Sequence, residues 1–378
     1  MIYLDHAATT PMRPEVWDAM EPYALEFFGN SSGVHDVSRK AKNGLEEARE
    51  RVAECIGAKP MEIVFTSGGT ESDNLALKGL SWNTTRPRSG VVTVTTEHEA
   101  VLETVDLLER FGTAVTLVGV DGEGLVDIDV LLGQIDGDTA LVSVMLVNNE
   151  TGVIQDLTSI AERVHREYPD VAVHSDAVQA FAGEKIDLSR LGVDMLSLTA
   201  HKFGGPKGTG CLFVREGTPL EPVIHGGGQE LGRRSGTHDV AGAVGLARAM
   251  ELTLADRERF RSETSRFRDE LEKLLTSGID EVQVNGARHA RSTHHLNVRI
   301  PGIRNETLLM RLDRAGVAAS AGSACQSGAA TVSHVLEGMG LSAMEARESV
   351  RFSIGWTTTI EEVRAAAGIV VDLVGQLR

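Results

Sequence analysis

The chain alternates between short runs of β-branched and apolar residues and polar or glycine-rich turns, which are followed by helical patterns. Parallel strands need crossover connections, usually helices, whereas antiparallel strands can be joined by tight turns. The alternation therefore predicts an α/β fold whose core is one large, mostly parallel sheet of seven strands with helices on its faces. The expected strands are residues 62–66, 91–95, 114–120, 140–147, 171–175, 195–199 and 210–214.

A long, charged helical pattern over residues 239–275 separates this region from a smaller one. A length of 378 residues is enough for two domains of ordinary size. Strand-like runs and an amphipathic C-terminal pattern follow the charged helix, which indicates a second α/β unit. We predict a large domain over residues 16–257 and a smaller domain built from residues 1–15 and 258–378.

Composition excludes several classes of function. Lys plus Arg number 37 against 54 for Asp plus Glu, a formal charge of −17, which disfavours direct binding of nucleic acid phosphates. We see neither a membrane-length apolar run nor the pattern of a secretory signal, so we expect a cytoplasmic protein without membrane contact. The three cysteines are widely spaced and form no CxxC pair, which argues against a disulfide framework or a cysteine-based zinc site.

The segment TSGGTES, residues 66–72, lies between an expected strand and an expected helix. Glycines at such a turn allow backbone N–H groups to approach an anion, and the helix dipole favours a phosphate there. The segment matches neither the GxxxxGK[ST] nor the GxGxxG pattern, so a phosphate-bearing ligand other than a common nucleotide has to be considered. Gly69 and Thr70 would then belong to a phosphate-binding turn or to an ordinary helix N-terminus.

Two further residues follow expected strands, at the edge where open α/β sheets bind ligands. Asp176 comes just after a hydrophobic run, although such an aspartate can also be a helix N-cap. Lys202 precedes a Gly-Gly-Pro turn and could form a Schiff base. A phosphate-binding turn, a carboxylate for a pyridinium nitrogen and a lysine for an imine are the groups that pyridoxal 5'-phosphate (PLP) requires.

Nine segments, in the same order along the chain, resemble those of a known family. They are YLDHAATTP (3–11), FTSGGTESDN (65–74), TTEHEAVL (95–102), VNNETGVIQD (147–156), HSDAVQ (174–179), HKFGGPKG (201–208), GGGQE…RSGT (226–237), SAGSAC (320–325) and RFSIG (351–355). Together they resemble the NifS/IscS-type cysteine desulfurases, which are PLP enzymes of the class V aminotransferase family with fold type I. The resemblance implies conversion of L-cysteine to L-alanine and covers essentially the whole chain.

The resemblance also implies roles for the cofactor-binding residues. Lys202 would bind PLP as an imine, and Asp176 would pair with its pyridine nitrogen. His98 would stack on the ring and carry protons, a task that suits histidine, although a histidine at a helix start can also be only a cap. The further cofactor contacts that the resemblance implies are Gly69, Thr70, Asn149, Gln179, Thr199 and His201. Without it, Asn149 and Gln179 would be read as ordinary turn residues.

Thr237, in the RSGT segment, matches the family position that reaches the phosphate bound by the neighbouring subunit. The resemblance therefore implies a homodimer.

The three cysteines differ in context. Cys55 lies on the apolar face of an expected helix, and Cys211 lies within a strand-like run, so we expect both to be structural. Cys325 lies in a stretch of small residues, about 317–331, that predicts a mobile loop, and accessible thiols are the reactive kind. The resemblance implies that Cys325 carries a persulfide. It implies no resident metal, although Cys325 could transiently bind the iron of a cluster with a partner.

Arg351 matches the family arginine that binds the substrate carboxylate, a bidentate task for which a guanidinium is suited. From the residue pattern alone, an ordinary surface ion pair would be the preferred explanation. The resemblance further implies that sulfur passes from Cys325 to an acceptor protein or an iron–sulfur scaffold, for cluster assembly or for tRNA thiolation. It would place Asn149 beside Arg351 in binding the substrate.

Three alternative functions remain open from the sequence. A selenocysteine lyase would use the same fold and cofactor, and so would another aminotransferase. A non-enzymatic scaffold is disfavoured, because a binding module has no need for Lys202, His98, Cys325 and Arg351 together.

Overall fold

The computed structural model describes residues 1–83, 88–322 and 332–378. Its strands are β1 (Ile2–Tyr3), β2 (Ile63–Thr66), β3 (Gly90–Val94), β4 (Val115–Val118), β5 (Thr139–Ser143), β6 (Ala172–Asp176), β7 (Met195–Thr199), β8 (Gly210–Val214), β9 (Gln283–Val284), β10 (His295–Arg299), β11 (Val317–Ala318) and β12 (Ser349–Ser353). Its helices are α1 (Pro14–Leu25), α2 (Asp36–Ile56), α3 (Gly69–Ser81), α4 (Glu99–Arg110), α5 (Ile128–Leu132), α6 (Leu157–Glu167), α7 (Leu188–Leu191), α8 (Val240–Gly278), α9 (Asn305–Arg314), α10 (His334–Gly338), α11 (Ala343–Ala346) and α12 (Ile360–Leu377). Among the described helices, none has both the length and the apolar character to cross a membrane.

Seven strands form the central sheet in the order β2-β8-β7-β6-β5-β3-β4. Every neighbouring pair is parallel except the two that involve β8, which runs antiparallel to both β2 and β7. The connection between β7 and β8, residues 200–209, is shorter than the dozen or so residues that a parallel crossover needs. The predicted α/β fold with a mostly parallel seven-stranded sheet is confirmed, with one reversed strand.

The sheet is covered on both faces. One apolar core packs α2, α6 and the first part of α8 against it, and a second packs α3 and α4 against the opposite face. Strands that are buried on both faces read as continuous apolar runs rather than as alternating ones. This explains why the strands were visible in the sequence as unbroken apolar segments.

A separate apolar core lies around the three-stranded antiparallel sheet β12-β10-β9, together with α9 and α12. Helix α8 contributes to both regions: Met250 is buried in the core of the large sheet, whereas Leu271 and Leu275 are buried in this one. The N-terminus joins the same core through Leu4 and through the pairing of β1 with β11. Two cores joined by α8 support the division near residue 257, and the domain bounds stay a prediction.

The expected loop at residues 317–331 begins later than the sequence suggested. Val317 is 1% exposed and pairs with Ile2 in a short parallel ladder, so the first residues of that stretch are strand and core. The partner strand is the N-terminus, a contact that local composition does not reveal. Cys325 lies outside the described residues.

The buried carboxylate of Glu230 ties the segment 226–238 to the large sheet. Glu230 accepts two hydrogen bonds of 2.8 Å from the Arg49 guanidinium and one of 2.9 Å from the backbone N–H of Phe65. His238 Nε2 lies 3.0 Å from Glu230 Oε1, and the Glu230 side chain is 1% exposed. Burial alone would raise the pKa of Glu230, but its hydrogen bonds and the Arg49 charge lower that pKa to about 2.

We expect Glu230→Gln to lower the free energy of unfolding at pH 7 by about 3 kcal/mol, because Arg49 loses its charged partner. The pKa of Glu230 in the folded state lies below that of an unfolded glutamate, about 4.3. The stabilisation is therefore complete above that value and is lost as the pH falls towards the folded-state pKa. Urea unfolding of both proteins from pH 7 to pH 3 checks this; a difference that does not shrink below about pH 4 contradicts it.

Candidate active site

A pocket of about 180 Å³ lies at the carboxyl ends of the parallel strands, where open α/β sheets bind ligands. Residues that follow β2, β3, β5, β6 and β7 line one side of it, and residues from the N-terminal segment and β12 line another. The pocket brings together ten of the residues predicted from the sequence: Gly69, Thr70, His98, Asn149, Asp176, Gln179, Thr199, His201, Lys202 and Arg351.

Of the other two predicted site residues, one lies elsewhere and one is not among the described residues. Thr237 lines a separate cavity of about 110 Å³, together with Ser67 and Thr209. Its assigned contact is with a neighbouring subunit, so this position leaves the prediction open. Cys325 lies in the stretch 323–331, outside the described part of the chain.

The N-terminus of α3 forms one wall of the pocket. Gly68 is its N-cap with φ 149°, a backbone conformation that favours glycine, and Gly69 begins the helix. A Cβ atom on Gly69 would lie 2.6 Å from Val178 Cγ2, so this position also requires a glycine for space. The helix is 13 residues long, and its unpaired N–H groups and dipole favour an anion at this end.

Asp176 is the last residue of β6, and its side chain is almost completely buried. The backbone N–H of Val178 donates to its Oδ1 at 2.8 Å. Burial raises the pKa of Asp176, while the nearby charges of His98 and Lys202 and this hydrogen bond oppose the rise. A cation in the pocket would favour the ionised carboxylate.

Two more carboxyl groups, those of Asp73 and Glu97, are buried near Asp176. Burial and repulsion from Asp176 raise the pKa of both well above the ordinary values. The backbone N–H of Met145 donates to Glu97 Oε1 at 2.6 Å but does not offset these effects. These shifts favour the protonated, neutral forms of Asp73 and Glu97 beside Asp176.

His98 is the N-cap of α4, and its Nδ1 accepts a hydrogen bond of 3.0 Å from the backbone N–H of Ala100. An imidazole nitrogen that accepts carries no proton, so the neutral ring holds its proton on Nε2. Burial lowers the pKa of His98 more than Asp176 raises it, so the neutral form is favoured. The ring is therefore both a helix cap and a pocket residue whose Nε2 is the atom that can exchange a proton.

Lys202 ends a short 3₁₀ turn, Ala200–Lys202, that directly follows β7. Its Nζ donates to the backbone carbonyls of Ala7 at 2.5 Å and of Ala8 at 3.0 Å. Gln179 Nε2 donates to the same Ala7 carbonyl at 2.9 Å. The N-terminal segment therefore positions the lysine, a role that residue types alone do not reveal because it uses main-chain atoms.

Arg351, in β12, is only 2% exposed. Its Nη1 donates to the Asn149 carbonyl at 2.8 Å, and its Nη2 lies 2.7 Å from Asp5 Oδ1. Its Nε and the side-chain oxygen of Asn149 are buried and find no hydrogen-bond partner among the described residues. Buried polar atoms of this kind are costly unless a ligand or water satisfies them, and both residues line the pocket.

Some pocket residues were not singled out from the sequence. His334 lines the pocket, and its Nε2 donates to the Glu97 carbonyl at 2.9 Å, which leaves Nδ1 as the acceptor nitrogen. Asp73 lies in the quoted segment FTSGGTESDN, but a carboxylate on a helix is common and gave no signal. His201, in contrast, is one of the predicted site residues. Burial lowers its pKa to about 4, so its imidazole is neutral at physiological pH.

Comparisons with known proteins agree with this geometry. The model of the family described as "Aminotransferase class-V" matches residues 2–365. Cysteine desulfurase IscS of Dictyoglomus turgidum is 41% identical over 377 residues, which cover 100% of this chain and 95% of that protein. A solved NifS-like protein has a TM-score of 0.93 at 35% identity and covers 99% of each chain. The structure titled "SspA in complex with cysteine" has a TM-score of 0.83 at 36% identity over 95% of this chain and 100% of its own.

The chain therefore belongs to the class V aminotransferase family, and its fold is fold type I. Its cofactor is pyridoxal 5'-phosphate. The pocket fits this group on independent grounds. It offers a helix N-terminus for a phosphate, a buried carboxyl that a pyridinium would keep ionised, and the amine of Lys202.

We expect Gly69→Ala to weaken PLP binding at least about tenfold, because the new methyl group would overlap the rigid Val178 side chain beside the phosphate-binding turn. Fluorescence titration of the cofactor-free protein with PLP measures this. Gly368→Ala is the matched control, because a Cβ there meets nothing within 4 Å among the described residues outside its own helix. Equal PLP affinity of the two variants would refute the assignment of this turn.

Proposed function

We propose that this chain is a PLP-dependent cysteine desulfurase that converts L-cysteine to L-alanine and leaves the sulfur as a persulfide on Cys325. The observation that carries the proposal is a pair of buried polar atoms, Arg351 Nε and Asn149 Oδ1, that have no hydrogen-bond partner within the described part of the chain and belong to a pocket that also holds Lys202 and Asp176. An amino acid offers a carboxylate to the first and an ammonium donor to the second. The similarity to a desulfurase along the entire chain supports the choice of reaction.

The residues that would hold the cofactor follow from the pocket walls. Lys202 would bind PLP covalently, and Asp176 would pair with its ring nitrogen. The N-terminus of α3, with Gly69 and Thr70, would bind the phosphate together with the side chains at the end of β7, Thr199 and His201. Gln179 would contact the ring from the turn after β6. When bound, PLP withdraws electrons from the α-carbon of the substrate.

The substrate would be oriented by Arg351 and Asn149. The Arg351 guanidinium donates to the backbone carbonyl of Asn149, so this hydrogen bond fixes the two residues relative to each other. A carboxylate bound by the guanidinium directs the amino group and the side chain of the substrate to defined sides of the pocket, which is what a reaction at one carbon requires. The predicted substrate-binding pair thus forms a single hydrogen-bonded unit.

Protons would be carried by His98 and Lys202. Only Nε2 of His98 can exchange a proton while its Nδ1 caps α4. Lys202 Nζ lies within the same pocket, and the carbonyls of Ala7 and Ala8 hold it there. A fixed imidazole and a fixed amine are suitable general acid–base groups for the α-carbon and the leaving product.

The sulfur transfer would use the thiolate of Cys325. A bond forms between the Cys325 sulfur and the substrate sulfur while the substrate C–S bond breaks, and the electron pair of that bond stays with the carbon skeleton. Protonation of the skeleton gives alanine, and the persulfide remains on the enzyme. The other two cysteines are unsuited, because burial raises the pKa of Cys55 and of Cys211 to about 12.

The wider setting follows from the same proposal. The persulfide sulfur would pass to an acceptor protein or an iron–sulfur scaffold, for cluster assembly or tRNA thiolation, in the cytoplasm. Thr237 would reach the phosphate of a neighbouring subunit in a homodimer. Its position in a cavity outside the main pocket is compatible with a role towards a second chain.

We expect His98→Asn to lower kcat for alanine formation at least about 100-fold with little change in KM. Asparagine can still accept the Ala100 N–H as an N-cap, so α4 should remain folded, but it cannot transfer a proton. Steady-state kinetics with L-cysteine measure the effect, and the visible spectrum of the loaded variant controls for cofactor binding. A variant with more than a tenth of the wild-type kcat would exclude His98 as a proton carrier.

We expect anaerobic single-turnover incubation with L-cysteine to add one sulfur atom to Cys325 and to release an equal amount of alanine. Intact mass, peptide mapping and alanine quantification follow the two products. Cys325→Ala should give neither, whereas Cys55→Ala should behave as wild type because that thiol is not involved.

Other outcomes of the same experiment favour other functions. Alanine formed by Cys325→Ala without a persulfide would indicate a lyase, for which selenocysteine is the substrate to test. No alanine from loaded wild-type enzyme, together with amino transfer to a keto acid, would indicate an aminotransferase.

A further inference from the structure

Asp5 forms an ion pair with the guanidinium that faces the pocket. Its Oδ1 lies 2.7 Å from Arg351 Nη2; the Asp5 side chain is 19% exposed and that of Arg351 is 2% exposed. The backbone of Asp5 is bridged to Ser353, and Tyr3 Oη donates to the Asp5 carbonyl at 3.1 Å. The carboxylate is therefore held against Arg351 by the fold and not by a flexible side chain alone.

Asp5 is the carboxylate in direct contact with Arg351 among the described residues. Three other titratable groups interact with the charge of this arginine: Tyr3, Glu150 and His295. Burial raises the pKa of Tyr3, which favours its neutral phenol. Burial raises the pKa of Glu150, which disfavours its ionised form, and it lowers the pKa of His295, which disfavours its cationic form. Within the ranges that the structure describes, Asp5 is thus the main counter-charge of Arg351.

A buried guanidinium without a counter-charge is strongly destabilising, so the ligand-free protein needs such a partner. Asp5 also reduces the attraction of Arg351 for a second carboxylate. The negative charge of Asp5 partly offsets the positive charge that the incoming carboxylate meets. Arg351 keeps one donor, Nε, without a partner among the described residues. A carboxylate ligand can therefore bind beside Asp5 without having to displace it.

We propose that Asp5 is a positioning residue that acts through Arg351: it fixes the guanidinium and weakens its hold on the carboxylates of substrate and product. The consequence is easier release of the amino acid product from a site that would otherwise retain it. The inference rests on the proposed role of Arg351 in binding the substrate carboxylate. It predicts an effect confined to ligands that carry a carboxylate.

Asp5→Asn tests the proposal, because asparagine keeps an acceptor oxygen for Arg351 Nη2 and removes the negative charge. We expect the PLP-loaded variant to bind L-alanine about fivefold more tightly than wild type, a gain of about 1 kcal/mol, and to bind ethylamine with unchanged affinity. Equilibrium titration of the visible absorbance of the cofactor measures both affinities. Unchanged or weaker binding of L-alanine overturns the proposal, and so does equal tightening for ethylamine.

Asp256→Asn is the matched control. Asp256 pairs with Arg13 at the same distance, 2.7 Å, and the substitution removes the same charge. It should leave the affinity for L-alanine unchanged. Tightening by Asp256→Asn would show that net charge, and not contact with Arg351, is responsible.

Arg351→Lys separates failure of this inference from failure of the proposed function. If that variant binds L-alanine and ethylamine in the wild-type ratio, Arg351 does not bind the carboxylate and the proposed role itself is wrong. If it selectively weakens L-alanine while Asp5→Asn changes nothing, only the role of Asp5 is wrong.

A second readout guards against a purely structural role. Thermal unfolding of the cofactor-free protein should show a lower midpoint for Asp5→Asn, because Arg351 loses its counter-charge. A lower midpoint without any change in L-alanine affinity overturns the proposal. Should Asp5→Asn fail to fold, Asp5→Glu replaces it: the charge is kept, so L-alanine affinity should stay within about twofold of wild type, and tighter binding would contradict the proposal.

Discussion

The burial of the Asp176 carboxyl at the end of β6 is the constraint on which the rest of the site depends. A carboxylate removed from water needs compensating interactions: the charge of Lys202 and the backbone N–H of Val178 favour the ionised form of Asp176, as does His98 when it is protonated. The same burial, together with repulsion from Asp176, raises the pKa of Asp73 and of Glu97 and favours their neutral forms. A ligand with a cationic ring nitrogen completes this arrangement, because it supplies the charge that the protein alone provides only in part.

The fold was largely predictable because six of the seven strands of the central sheet, all but β4, are buried on both faces and therefore appear as continuous apolar runs in the sequence. The same property misled the interpretation at residues 140–147. There β5 ends at Ser143, and residues 144–147 continue as a buried segment outside the strand. Apolar character reports burial and not backbone conformation. The short strand at Val317 was missed for a different reason, since its partner lies more than 300 residues away.

The site was predictable in residue type but not in hydrogen bonding. Chemistry at the carboxyl ends of parallel strands follows from topology, so Asp176 and Lys202 could be selected from their positions after apolar runs alone. The capping of α4 by His98 and the contact of Lys202 with main-chain carbonyls could not. The Asp5–Arg351 pair joins residues 346 positions apart, and two charged residues give no signal of pairing over such a distance.

Helix α8 has a consequence for the geometry of the pocket. Its 39 residues run without interruption from the core of the large sheet to the core around β12-β10-β9, so one rigid element joins the region that holds Lys202 to the region that holds Arg351. Each residue of an α-helix turns the chain by about 100°. Inserting or deleting one residue near its middle would turn the buried face of one half by about 100° relative to that of the other, so the two halves could no longer both pack into their cores, even with every catalytic side chain retained. The length of this helix is therefore as much a requirement of the site as the residues that line it.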